Sequence, residues 1–161
     1  MGITAELYRV KPSTLAAFVD NPMAFMEEDG WSPAFESLGA VDLDKLWHDI
    51  EYLLNVKNPS GVDPFYIDFL GCHPVSGVPD DYGDVRFCEP DEVRVVAAKL
   101  RKVSGSRLWK RFDASHMAMY QFAKPEWMPR RKQGILTYYS LMRNFYIDAA
   151  DDGDGMVICL G

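Results

Sequence analysis

Cysteine and histidine are scarce, with three of each among 161 residues. Cys72, Cys88 and Cys159 form no Cys-x-x-Cys pair, and an odd count at such wide spacing excludes a secreted disulfide framework. Cys72, His73 and Cys88 also lack the short paired spacing of a structural zinc site, so no metal and no cofactor is expected. No apolar run approaches the roughly 20 residues that a membrane-spanning helix requires. Glycine-rich phosphate loops of the GxGxxG or GxxxxGK type are missing, as are helix-turn-helix, KH and RRM signatures. The opening Met1-Gly2-Ile3-Thr4-Ala5-Glu6-Leu7-Tyr8 carries no basic segment followed by an apolar one. With reduced thiols, the expected location is the cytoplasm.

What is present is apolar and aromatic residues, 48% and 13% of the chain, enough to build one packed domain over residues 1–161. Charge is segregated beneath a net −7. Residues 1–84 hold 15 acids against 4 Lys/Arg, whereas residues 85–150 hold 13 Lys/Arg against 6 acids. Such halves attract one another within a domain. A basic stretch can also meet phosphates, which makes nucleic-acid binding through residues 99–132 a reading to weigh, although the overall acidity opposes capture of a polyanion.

Periodicity places the elements. Ile3 to Val10 alternates as a strand, with Ile3, Ala5 and Leu7 on one face and Thr4, Glu6 and Tyr8 on the other. Lys11-Pro12-Ser13 starts a helix bearing Leu15, Phe18 and Val19, Asn21-Pro22 interrupts it, and a second short helical piece follows through Met23, Phe25 and Met26 to Gly30. Asp42 to Asn55 reads as a helix capped by Asp42, with Leu43, Leu46, Trp47, Ile50, Leu53 and Leu54 inward. Asp44, Lys45, His48, Asp49 and Glu51 fall on the outward face.

Residues 56–83 form a long Pro/Gly-rich loop, in which Phe65 to Leu70 is expected to make one or two helical turns. A loop of this length in a compact domain is either functional or pinned by packing. Val85 to Cys88 is a strand. A helix follows with acids at its start, Val93, Val96, Ala97 and Leu100 buried, and Gly105 as its stop. Short helices are expected at Ser106 to Phe112 and from Ala114 to about Tyr120. The last helix carries Ile135, Tyr138, Tyr139, Met142, Phe145, Tyr146 and Ala149, ends at Asp151-Asp152-Gly153, and leads to a strand at Met156 to Leu160.

Strands and helices do not alternate, which excludes a doubly wound nucleotide fold. The expected architecture is α+β: a mostly helical single domain over a small three-stranded mixed sheet. Its strands come from the two ends and the middle, with the first and last central or adjacent.

Asp42-Leu43-Asp44-Lys45-Leu46-Trp47 with Leu53-Leu54, Tyr82-Gly83, Pro90-Asp91-Glu92-Val93, Arg111-Phe112-Asp113, Trp127 and Phe145-Tyr146 with Ala149-Ala150 resemble, in order and spacing, the YfbM-like proteins, a bacterial family of unknown function. The resemblance runs from Met1-Gly2-Ile3 to the closing strand. It implies an α+β domain with a small mixed sheet and carries over no activity, cofactor or catalytic residue.

Candidate chemistry is thin. Cys72-His73, in the long loop, is the most enzyme-like pair, but neighbouring side chains seldom face each other, so a thiolate there needs a base from elsewhere, such as His48 or His116. Asp44 and His48, one helical turn apart, form a candidate polar site that reads first as a surface pair. Asp148, Asp151, Asp152 and Asp154 suggest half a calcium loop, yet each alignment leaves Ala150 at a ligand position. They read instead as an acidic turn in which glycine takes positive φ. Arg130-Arg131-Lys132 sits at a helix start, where cations oppose the dipole and need an acidic partner.

These observations favour a non-catalytic protein-interaction module with no assigned catalytic residue. Its candidate surface is loop 56–83, with Tyr66, His73, Tyr82 and Trp127. The alternative is an enzyme using a cleft beside that loop, with Cys72, His73, His48 and Asp44. The second alternative is the nucleic-acid reading.

Overall fold

A computed structural model describes residues 3–25, 37–57, 64–71, 73–119 and 124–161. β1 (Ala5–Val10) is followed by α1 (Pro12–Asp20), whose first residue tolerates proline because its N–H would have no helical partner. β2 (Ala40–Asp42) precedes a single 3₁₀ turn and α2 (Trp47–Asn55). β3 (His73–Pro74) and β4 (Asp84–Cys88) lead to α3 (Pro90–Arg101), α4 (Gly105–Trp109) and α5 (Ala114–Met117). A long α6 (Met128–Asp152) and β5 (Gly155–Leu160) complete the order.

The α+β, mostly helical expectation holds, but the sheet differs from it. Among the described residues it has five strands in the order β2-β1-β5-β4-β3, and every pairing is antiparallel rather than mixed. The first and last strands are adjacent as expected, with β5 central between β1 and β4. The two unexpected strands are the edges. Ala40–Asp42 is too short to show alternation, and Asp42 there ends a strand rather than capping a helix; its carboxylate accepts the Asp44 N–H at 2.6 Å. His73–Pro74 is two residues long, and its proline is tolerable only on an edge.

One face of the sheet, carrying Ala5, Leu7, Cys88, Met156 and Ile158, meets the apolar stripes of α2, α3 and α6 in one core. The other, with Tyr8, Val10, Val85, Val157 and Cys159, is covered by Leu15 and Phe18 of α1. Strand alternation therefore sorts two cores onto two faces.

α3 matches its expectation residue for residue, with Val93, Val96, Ala97 and Leu100 buried. Its start is a reciprocal capping box between Glu89 and Glu92. Gly105 does not end it; Ser104 caps α4 instead, accepting from Arg107 N–H. α6 runs through Asp152 and is stopped by Gly153 at φ +74°, the left-handed conformation glycine adopts without a Cβ penalty.

Phe65 to Leu70 is not helical; turns at 64–65 and 69–70 flank irregular chain. The reason is Asn55, whose side chain takes the Ile67 N–H at 2.8 Å and donates to the Ile67 carbonyl at 3.0 Å. Met26 to Gly30, Cys72 and Tyr120 lie outside the described residues.

Candidate functional site

The residues singled out from sequence fall into separate neighbourhoods. His73 lies on the β3 edge, where its Nε2 is 2.5 Å from Glu92 Oε1 and its ring packs against Phe87. Glu92 also accepts the Glu89 N–H as part of the α3 cap, so the carboxylate is held before the imidazole reaches it. Asp68 lies in the field of Arg86, Glu92 and His73, and burial raises its pKa above the usual carboxylate range, with Arg86 opposing. Arg86 Nε is buried with no hydrogen-bond partner among the described residues.

Tyr66 belongs to a different set of contacts. Its hydroxyl donates to Glu51 at 3.2 Å, and its carbonyl accepts from Lys99 Nζ at 2.6 Å. Burial, reinforced by Glu51, pushes the phenol up to about 12. Tyr82 packs against the second core beside α1.

His48 and Trp127 are connected through α6. Asp49, expected outward, is buried at 3% exposure because the first turns of α6 lie over that side of α2, and it accepts from Arg131 at 3.0 Å. Arg131 is thus the cation at a helix start that needed an acid, and Asp49 is the acid. The Arg131 guanidinium also sits 5.0 Å from the Trp127 ring centre, with Lys124 at 4.5 Å. His48 stacks on Trp47, and burial lowers its pKa. Asp44, exposed on the 3₁₀ turn, adopts φ +48°. His48 and His73 stand on different elements with different partners, and Cys72 is outside the described residues.

Cys159 is the described thiol nearest a cavity, of about 350 Å³, lined by Thr4, Glu6 and Gly161. Burial, with Glu6 beside it, pushes this thiol up to about 12, opposite to the shift that activates a nucleophile.

A further cavity, of about 320 Å³, was not read from sequence. Lys57, Lys99, Lys102 and Arg111 surround it, and Phe65, Ile67 and Val103 supply apolar wall. No carboxylate lines it among the described residues. The C-termini of α2 and α3 both end here, which explains the cations: Arg111 donates to the Leu53 and Leu54 carbonyls at 3.4 and 2.5 Å. Phe65 is 71% exposed at the rim. These residues come from four separated segments, and the sequence signals for them were the long loop 56–83, which holds Lys57, Phe65 and Ile67, and the positive balance of residues 85–150.

The fold has counterparts among known proteins. Residues 1–159 match the family described as Domain of unknown function (DUF1877). The chain belongs to the DUF1877 family. A solved structure titled as a protein of unknown function, YfbM from Escherichia coli, superposes with a TM-score of 0.70 at 16% identity, covering 98% of this chain and 99% of that one. That likeness establishes a shared fold for this DUF1877 chain. No curated protein matches it. Among the described residues, no helix is long and apolar enough to cross a membrane, and no group of three or more His, Cys, Asp and Glu is placed to hold a metal ion.

Proposed function

We propose that this chain is a non-catalytic interaction module whose contact surface is the face bearing Phe65. The observation that carries the reading is the cavity that joins an exposed aromatic to four cations with no carboxylate among its described lining. Lys and Arg in their charged forms donate hydrogen bonds and attract anions, which suits them to recognition of an acidic partner. The groups with chemical potential elsewhere are engaged in the fold: Glu92 caps α3, Asp49 holds Arg131, and the Cys159 thiol is held protonated.

The test is crosslinking capture with purified bait, comparing the native chain with Phe65→Ser. Phe65 contributes little to the core, so the variant folds, and specific capture should fall about tenfold, the effect of removing an aromatic anchor. Equal recovery by both baits, or recovery of nothing above background, overturns the proposal.

One observation favours the enzyme reading as the second choice: the His73–Glu92 pair at 2.5 Å, in the field of Asp68. That arrangement resembles an oriented base. A hydrolytic or transfer activity lost in His73→Gln but retained in Phe65→Ser would favour it over the interaction module.

A further inference from the structure

A second depression, of about 380 Å³, lies on the other flank of α4 and is lined by Gly105, Ser106, Trp109 and Leu136, with Lys110 and Lys132 beside them. Lys132 Nζ sits 5.1 Å from the Trp109 ring centre. Each flank of this short helix thus combines an aromatic side chain with lysines. The first cavity begins at Lys102 and Val103, just before α4, and returns at Arg111, just after it. Lys102, Arg107 and Lys110 are exposed between and beside the two depressions.

Resting on the interaction-module reading, we propose that the partner presents an acidic polypeptide segment with two apolar side chains, which lies across α4 and seats one in each depression. Charge complementarity selects this occupant. The patch is positive on a chain of net charge −7, so it attracts anions locally although the chain as a whole repels them. A long polyanion must also pass the acidic remainder of the chain, whereas a short acidic segment meets only the patch.

Part of the basic stretch is already engaged within the fold, which breaks up the run of cations an extended nucleic acid would follow. Arg101 pairs with Asp151, Arg131 with Asp49, and Arg111 is turned to the carbonyls of α2.

Dimensions agree with a segment. With its side chains, α4 is about 10–12 Å across. An extended chain rises about 3.3 Å per residue, so anchors about four residues apart reach both flanks.

The probe is a fluorescein-labelled peptide of aspartate and glutamate carrying one phenylalanine and one leucine about four residues apart, followed by fluorescence anisotropy. Lys102→Glu with Lys110→Glu reverses the charge at one residue of each depression, and both sites are exposed, so folding is retained. Lys45→Glu with Arg130→Glu changes net charge equally at other exposed positions and serves as control. Binding should weaken at least about tenfold in the first pair, stay near native in the second, and fall with added salt as screening sets in within about 10 Å.

Equal loss in both pairs, tighter binding of a single-stranded oligonucleotide than of the peptide, or Lys102-dependent self-association without peptide each overturns the proposal. If the probe fails to bind while Phe65-dependent capture of a protein persists, the acidic-segment inference falls and the interaction module stands. If neither occurs, both fall.

Discussion

Replacing Asn55 by alanine tests why the turn carrying Phe65 has the shape it does. Asn55 is 3% exposed, and its amide bonds both the N–H and the carbonyl of Ile67, itself 4% exposed. Alanine leaves two buried backbone groups without partners, at about 1–3 kcal/mol each. Water could reach them only if the turn opened. Opening exposes Ile67 and the fully buried Phe69, and each side chain is worth about 1.5–3 kcal/mol of burial. The two routes cost similar amounts, so neither relieves the other, and a loss of about 3 kcal/mol is expected.

Urea denaturation should show that loss. If the opening is local, amide exchange at Ile67 should accelerate roughly a hundredfold while α3 and α6 stay protected. Either result fits the reasoning. A change below about 0.5 kcal/mol with unaltered exchange at Ile67 would refute it, because a clamp that can be removed at that cost does not hold the turn.

Three other outcomes are expected. Asp154, whose side chain is 1% exposed, accepts from Arg9 Nε at 2.6 Å and Lys11 at 3.3 Å, so Asp154→Ala should cost about 2 kcal/mol in denaturation by leaving the largely buried Arg9 with only the exposed Asp152 as its acidic partner; a cost under about 0.5 kcal/mol would show the pair to be dispensable. Cys159, with its thiol pushed up to about 12, should resist a thiol reagent at neutral pH in the folded protein and react on unfolding, and fast labelling of the native state would contradict its burial. Asp49 has its pKa raised by burial, against the opposing pull of Arg131. A carboxyl raised on folding favours the native state in its protonated form, so relative to Asp49→Asn the native chain should gain stability as pH falls from neutrality through the raised folded value; a parallel pH dependence of the two proteins would argue against that desolvation.

The parts of the fold legible in sequence are those where a single element carries its own pattern. The buried stripe of α3 could be read because Val93, Val96, Ala97 and Leu100 repeat at helical spacing, and the αL stop at Gly153 because glycine there follows a long periodic run. β2 and β3 could not be read, since three and two residues are too few for alternation to appear. Asp49 looked outward because a helix wheel registers one helix alone, and the partner that covers that side, Arg131, is 82 residues away. The same distance problem hid the cationic cavity. Charge segregation indicated that positive potential existed, but only tertiary packing of two helix ends brought Lys57, Lys99, Lys102 and Arg111 around one space. Glu92 was visible as a helix-start acid and not as a neighbour of His73, because β3 itself was not visible.

The central place of β5 has a consequence for biosynthesis. Strands β1 and β4 each use one edge to hold a segment that leaves the ribosome after both of them. Until residues 155–160 emerge, those edges have no native mate, and the nascent chain must keep them from pairing with other chains. Before then β1 has only β2 and β4 only β3 as a native neighbour, so the two halves of the sheet join last, when the final strand inserts between them.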